Sequence, residues 1–367
     1  MENVGSEDWQ ILLSLFPQDW RHQAEQAGAV ERLRGFSSAE ALLRTILLHV
    51  ARGYSLRETV VQARLAELTS VSDVALLKRL RKAEAWLRGL CLAMLRDSGV
   101  ALPAESSARR VRLVDGTIVK EPGKTGSQWR LLYSLQLPNL VCDFFDLTSD
   151  TGAGTGETLV RLPLQRTDLV LADAGYCSAA GVDYVVRQGG DVVVRVNPTH
   201  FPLYGPTGRK RSLLARLNKL TRAGQIGKWT VFLQGERGLI EGQICAVRKS
   251  EAAIEKAESR LRRKASKKQT KLLPETLEYA KYVVVFTTCR TVPATQILEW
   301  YRLRWQIELA FKRLKTLAQL GHLPKYDDRS SRAWLYGKLF VALLAQKLMR
   351  VGRDISPWGY LLSNSPI

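Results

Sequence analysis

The sequence predicts an α/β protein: a mixed sheet with flanking helices, interrupted by a partly β insertion and preceded by an all-α segment. Three observations predict it. Residues 1–107 carry almost only helical periodicity and helix-boundary signals. From Val111 the pattern changes to alternating or compact apolar runs of strand length. Later runs of that kind alternate with helical segments, an order that lays helices on the faces of a sheet. With 367 residues, 46% of them hydrophobic, the chain is too long for one small core, and two or three domains are expected.

Taken in order, "FSSAEALLRTILLHVARG" predicts an amphipathic helix ending at Gly53. In "YSLRETVVQARLAEL", Ser55 and Glu58 have the S-x-x-E spacing of a capping box. Ser72 can cap a long helix from Asp73 through Leu95. Two helices across the short turn "TSVS" fit a helix-turn-helix over residues 55–96. Its second helix carries Lys78, Arg79, Arg81 and Lys82, suited to phosphates; plain bundle packing is the alternative. Next, "VRLVDGTIVK" alternates as a strand, and "WRLLYSLQL" and "LVCDFFDLT" flank the turn pair "PN" as a hairpin. After the Gly-rich "DTGAGTGE" a short helix beginning at Glu157 is expected, then the strand "DLVLAD", the helix "SAAGVDYVVRQGG" and the strand "DVVVRV". Three antiparallel strands followed by αβαβ is the order of a ribonuclease H-like fold. The division that follows is a helical segment 1–107, a ribonuclease H-like domain from 108–196 and 281–349, an insertion 197–280, and a tail 350–367. The insertion holds two strand candidates and the basic helix "EAAIEKAESRLRRKASKKQTK".

The 55 Lys and Arg against 35 Asp and Glu give a net charge of +20 and imply a polyanionic partner, most often nucleic acid. The five cysteines form no CxxC pair and the four histidines no metal-ligand spacing, so neither a disulfide framework nor a zinc site is expected. No signal peptide opens the chain, and its late apolar run "LFVALLA" is too short to span a bilayer, so a cytoplasmic protein without membrane contact is expected.

The stretch "YRLRWQIELAFKRLK" carries one carboxylate amid much positive charge. At about 100° per residue, Arg304, Glu308 and Lys315 fall at roughly −60°, −20° and −40° from Tyr301. They share a polar face, opposite an apolar stripe of Leu303, Ile307, Ala310, Leu314 and Leu317. A solvated face with an Arg304–Glu308 pair is the bland reading. The chemical reading notes that metal-assisted phosphodiester cleavage needs hard oxygen ligands around two Mg²⁺ ions. Asp115 lies within the first strand. Asp173 ends the strand "LVLAD" and is followed by "AGYC", where Gly175 lets the backbone turn away. Glu308 would close the cage.

The order Asp, Asp, then Glu after an insertion resembles the DDE transposases of the insertion-sequence four family. Tyr301, Arg304, Glu308 and Lys315 match that family's Tyr-x2-Arg-x3-Glu-x6-Lys signature at every spacing, and "VDGT" and "DAGY" resemble its two aspartate motifs. The resemblance covers roughly residues 108–350. It implies a transposase that cleaves transposon ends and joins them to target DNA, with Asp115, Asp173 and Glu308 binding two Mg²⁺ ions, Mn²⁺ able to substitute. Tyr301, Arg304 and Lys315 would position end DNA, and Trp305 matches a position where an aromatic stacks on a displaced base. The implied partners are the terminal inverted repeats, target DNA and a second copy in a homodimeric synaptic complex, on a bacterial nucleoid. Asp143 and Asp146 read instead as hairpin-edge residues, Trp86 and Trp129 as core, and Glu157 as an auxiliary candidate at the metal site. The rival readings are a nuclease or resolvase of the same fold that joins no strands, and a domesticated DNA-binding protein.

Overall fold

The computed structural model describes residues 4–31, 33–97, 109–120, 128–137, 141–149, 156–196, 201–316, 323 and 327–353. The predicted turn pair at 138–139, most of the Gly-rich stretch, Leu317 of the apolar stripe and the last 14 residues of the tail lie outside them.

Six helices come first: α1 (Val4–Ser14), α2 (Trp20–Gln26), α3 (Ala39–Arg52), α4 (Leu56–Leu65), α5 (Asp73–Lys82) and α6 (Glu84–Asp97). Their ends follow the local chemistry. Ser38 caps α3, and Gly53 ends it in the left-handed region at φ 71°, which a residue without a β-carbon adopts at no steric cost. Ser55 and Glu58 form the full capping box, and Ser72 accepts from the Ala75 N–H. The helix expected as one from Asp73 to Leu95 is two, broken at Ala83. Leu76, Leu80, Ala83, Leu87 and Leu90 are all buried, so the apolar spacing runs straight through the break and cannot reveal it.

Eight strands form one sheet: β1 (Arg110–Lys120), β2 (Gln128–Gln136), β3 (Val141–Ser149), β4 (Asp168–Ala172), β5 (Asp191–Arg195), β6 (Ile226–Gly235), β7 (Gly238–Arg248) and β8 (Tyr282–Thr287). Their order is β3-β2-β1-β4-β5-β8-β7-β6. β1, β2 and β3 pair antiparallel, whereas β1, β4 and β5 run parallel. This is the ribonuclease H-like sheet. The insertion's β6 and β7 extend it through β8, antiparallel throughout. The remaining helices are α7 (Ala179–Arg187), α8 (Leu214–Leu217), α9 (Glu251–Lys268), α10 (Pro274–Ala280), α11 (Ala294–Leu303), α12 (Trp305–Thr316) and α13 (Asp328–Arg353).

The helix expected at Glu157 is absent; residues 156–167 form turns and bends. Pro163 lacks the amide proton a helix needs there, and its carbonyl accepts from Arg112, while buried Leu159 and Leu162 pin the segment to the sheet.

Strand alternation gives the sheet two apolar faces. Leu113, Leu169, Leu171 and Val193 join one core with α3, α6, α11, α12 and α13, so the N-terminal helices and the sheet share a continuous interior. Val114, Val170, Ala172 and Val192 join the other, with α7 and the segment around Phe201–Leu220. Trp86 and Trp129 lie in the first core, as expected. Asp143 sits on the edge strand β3, buried against Arg112 at 2.7 Å, and Arg112 also reaches Asp168 at 3.2 Å.

Candidate catalytic centre

Val114 pairs with Ala172 across the parallel β1–β4 ladder, so the next residues, Asp115 and Asp173, emerge side by side. Val114 and Ala172 face the second core; alternation therefore turns both aspartates toward the face covered by α11 and α12. Asp173 lies just past the end of β4, before a single 3-10 turn Ala174–Tyr176. β4 ends at Ala172 while β1 runs on to Lys120, so the parallel register sets Asp173, just past a strand end, beside Asp115 within its neighbour.

The stretch 301–315 supplies the rest, but not as one straight helix. α11 ends at Leu303 and α12 begins at Trp305, with i→i−3 bonds on either side of the step: Arg304 N–H to Tyr301 O, and Ile307 N–H to Arg304 O, both 3.1 Å. The expected polar face is therefore split: Glu308 and Lys315 are exposed, but Tyr301 is half-buried and Arg304 turns inward. Leu303, expected in the buried stripe, is exposed, whereas Arg304 is buried, with only 11% of its side chain accessible. Ile307 is buried as expected.

Tyr301 donates its hydroxyl to Asp173 Oδ1 at 2.8 Å. Arg304 donates to Glu308 Oε1 at 2.6 Å, stands 3.8 Å from Asp115 Oδ2, and lies 5.6 Å from the centre of the Tyr301 ring. Arg304 thus bridges two of the three expected ligands. Lys315 is exposed about two turns beyond Glu308 on α12. Trp305 is 57% exposed at the step.

Burial pushes the Asp115 carboxyl up to about 6; the Gly116 N–H, donating to Oδ1 at 2.8 Å, and Arg304 oppose this, while the Asp173 and Glu157 charges add to it. Burial, followed by the charge of Asp173, likewise raises the Tyr301 phenol. Two groups at the centre were not singled out from the sequence. Arg195 ends β5, the strand beside β4, 4.0 Å from Asp173. Tyr176, the last residue of the "DAGY" motif and given no role of its own there, is buried with its hydroxyl unpaired.

The donor chemistry fits divalent cations: Asp115, Asp173 and Glu308 offer hard carboxylate oxygens, and their mutual repulsion is what a dication offsets. Among the described residues, no three His, Cys, Asp or Glu side chains enclose an ion as they lie. The basic residues of α5 are elsewhere and partly engaged. Arg81 holds Asp327 with two hydrogen bonds, Arg79 donates to the Arg34 carbonyl, and Lys82 stands 3.9 Å from Glu31.

A family model described as "Transposase DDE domain" matches residues 106–344. A protein of Escherichia coli K12, named as transposase InsL of insertion sequence element IS186A, is 32% identical over 97% of each chain. This chain belongs to the DDE transposases of the insertion-sequence four family. The transposase is also 32% identical, again over 97% of each chain, to the transposase of IS421 from Escherichia coli. It is 26% identical to that of IS231C from Bacillus thuringiensis subsp. berliner, over 93% of this chain and 79% of that one. The catalytic domain of human Endonuclease V covers 44% of the transposase at 15% identity and a TM-score of 0.22, too slight a likeness to add to the strand order. The protein is therefore a DNA-transposing enzyme that acts on DNA and depends on divalent metal. Among the described residues no helix is long and apolar enough to cross a membrane.

Proposed function

We propose that the transposase cleaves its element's terminal inverted repeats and joins the freed 3′ ends to target DNA, using Asp115, Asp173 and Glu308 as ligands for two Mg²⁺ ions, with Mn²⁺ able to substitute. The observation that carries this is the side-by-side emergence of Asp115 and Asp173 from β1 and β4 beneath the Tyr301–Arg304–Glu308 segment. Divalent ions bound there supply Lewis acidity to the scissile phosphate and lower the pKa of an attacking water.

The chain's own groups do the positioning. Tyr301 holds Asp173 by its hydroxyl, fixing which carboxylate oxygen faces the centre. Arg304 holds Glu308 and remains within reach of a DNA phosphate, to which a guanidinium can donate two hydrogen bonds at once. Lys315 gives a flexible point charge further along the same strand of DNA. Trp305 offers its exposed ring to a base displaced from the end. Arg79 and Lys82, with the exposed Lys78, add phosphate contacts from α5; Arg81 contributes less, because Asp327 already holds it. Two copies, each presenting one active centre, would hold the two ends together, and the working place of the protein is the bacterial cytoplasm, on the nucleoid.

The test offers purified protein pre-cleaved ends with a free 3′-OH and a plasmid target. Covalent end–target products that require the 3′-OH support the reading. Cleavage of intact ends without any joining would assign a nuclease or resolvase instead.

A further inference from the structure

Glu157 is not one of the three expected ligands, yet the fold clears a place for it against the glycines that follow Asp115 and Asp173. A β-carbon at Gly175 would overlap a Glu157 carboxylate oxygen, and one at Gly116 would stand 4.0 Å from its γ-carbon. These glycines lie one residue after Asp115 and two after Asp173. Neither adopts the left-handed backbone. Gly175 is therefore required for close approach, and not for the turn expected of it. Glu157 is also electrically part of the centre, since its charge is among those holding the Asp115 carboxyl up. Arg130 meets it through Oε1 at 3.4 Å.

A second feature points into the same space. Tyr176 is 1% exposed, and its hydroxyl has no hydrogen-bond partner. That oxygen lies 3.0 Å from where a Gly116 β-carbon would be, with Asp115 and Glu157 as the anions acting on it. An unpaired buried hydroxyl costs about 1–3 kcal/mol, a loss that proteins retain where the group serves a ligand or a catalytic centre.

We propose that Glu157 is a fourth carboxylate of the divalent-cation site, seated by Gly116 and Gly175, and that the Tyr176 hydroxyl positions that end of the site. The inference rests on Asp115, Asp173 and Glu308 binding cations. The alternative is that Glu157, with 38% of its side chain exposed, serves only as a surface partner for Arg130, a role worth little.

The test is Mn²⁺ binding to the full chain, read from the electron paramagnetic resonance of free Mn²⁺, with metal-free melting temperatures alongside. Glu157→Gln should raise the half-saturating Mn²⁺ concentration about tenfold or more, the size of loss typical when a partner of a metal site is removed. Gly175→Ala should weaken binding similarly while leaving every charge in place, because it displaces the Glu157 carboxylate. Tyr176→Phe should weaken binding in the same direction without lowering the melting temperature, since no hydrogen bond is lost. Asp115→Asn tests the underlying site. If Asp115→Asn weakens Mn²⁺ binding while Glu157→Gln and Gly175→Ala bind as wild type, the fourth carboxylate is overturned and the three-residue site stands. If Asp115→Asn also binds as wild type, both fall.

Discussion

Asp115 and Asp143 are both sheet carboxylates with little exposure, and their surroundings separate their roles. Asp143 is held by the buried Arg112 guanidinium at 2.7 Å. Asp115 has Arg304 no nearer than 3.8 Å and two carboxylates acting against it. Removing one partner of a buried pair costs about 3–5 kcal/mol, so Asp143→Ala should lower the melting temperature markedly. Asp115→Ala should leave it equal or higher, because like-charge repulsion is relieved, while cleavage is lost. Thermal melts of the two variants beside a cleavage assay check this. Trp305→Ala should remove a base stack worth about 1–3 kcal/mol; a time course of nicked and double-strand-cut products should show a slowed later step, with end binding and first nicking largely kept. Of these residues, Asp115, Asp173 and Glu308 were singled out from their strand positions and fixed spacing. Glu157 was singled out beside them as an auxiliary candidate, though on a helix that is not there; Arg195 was not, because only the pairing of a neighbouring strand brings it in.

At the scale of elements, the step between α11 and α12 turns Arg304 inward and leaves Trp305 outward. Arg304→Ala should therefore slow cleavage at least tenfold, about 1.4 kcal/mol in barrier, whereas Lys315→Ala should act mainly on DNA affinity. Equal effects of the two on cleavage would contradict the inward placement. A second joint lies between α5 and α13. Burial pushes the Asp327 carboxyl up, but Arg81 and Ser330 outweigh it and hold the carboxyl down at about 2. The folded pKa is depressed, so this contribution is fully present above pH 3.8 and is lost as pH falls toward 2. Asp327→Asn should destabilise at neutral pH by about 1 kcal/mol or less, the pair being largely exposed. Its deficit against wild type should shrink in melts taken from pH 4 down to about pH 2. Strand positions, caps and the capping box were all readable before the fold, since each depends on a few adjacent residues. The breaks at Ala83 and Arg304 were not, because the buried spacing continues across both, and Pro163 was passed over when a helix was expected from Glu157.

For the whole molecule, the charge of +20 sets how binding responds to salt. If about 6–10 phosphates are neutralised, affinity for end DNA should fall by roughly 10³–10⁵ between about 50 and 200 mM salt. A flat plot of log affinity against log salt would remove the electrostatic part of the account. The succession of strands along the catalytic sheet was readable from alternation and turn residues. That β6 and β7 would continue the same sheet through β8 was not, because pairing between distant strands leaves no mark on either strand's own pattern. The same holds for the core shared by the N-terminal helices and α13. The proposed cation-binding centre lies where Asp115 of β1 meets the end of β4, and the most direct test of it is Mg²⁺-dependent cleavage of the element's own ends by Glu308→Ala, with end binding measured in parallel. The account predicts near-normal binding and no cleavage; full Mg²⁺-dependent cleavage by that variant would contradict it.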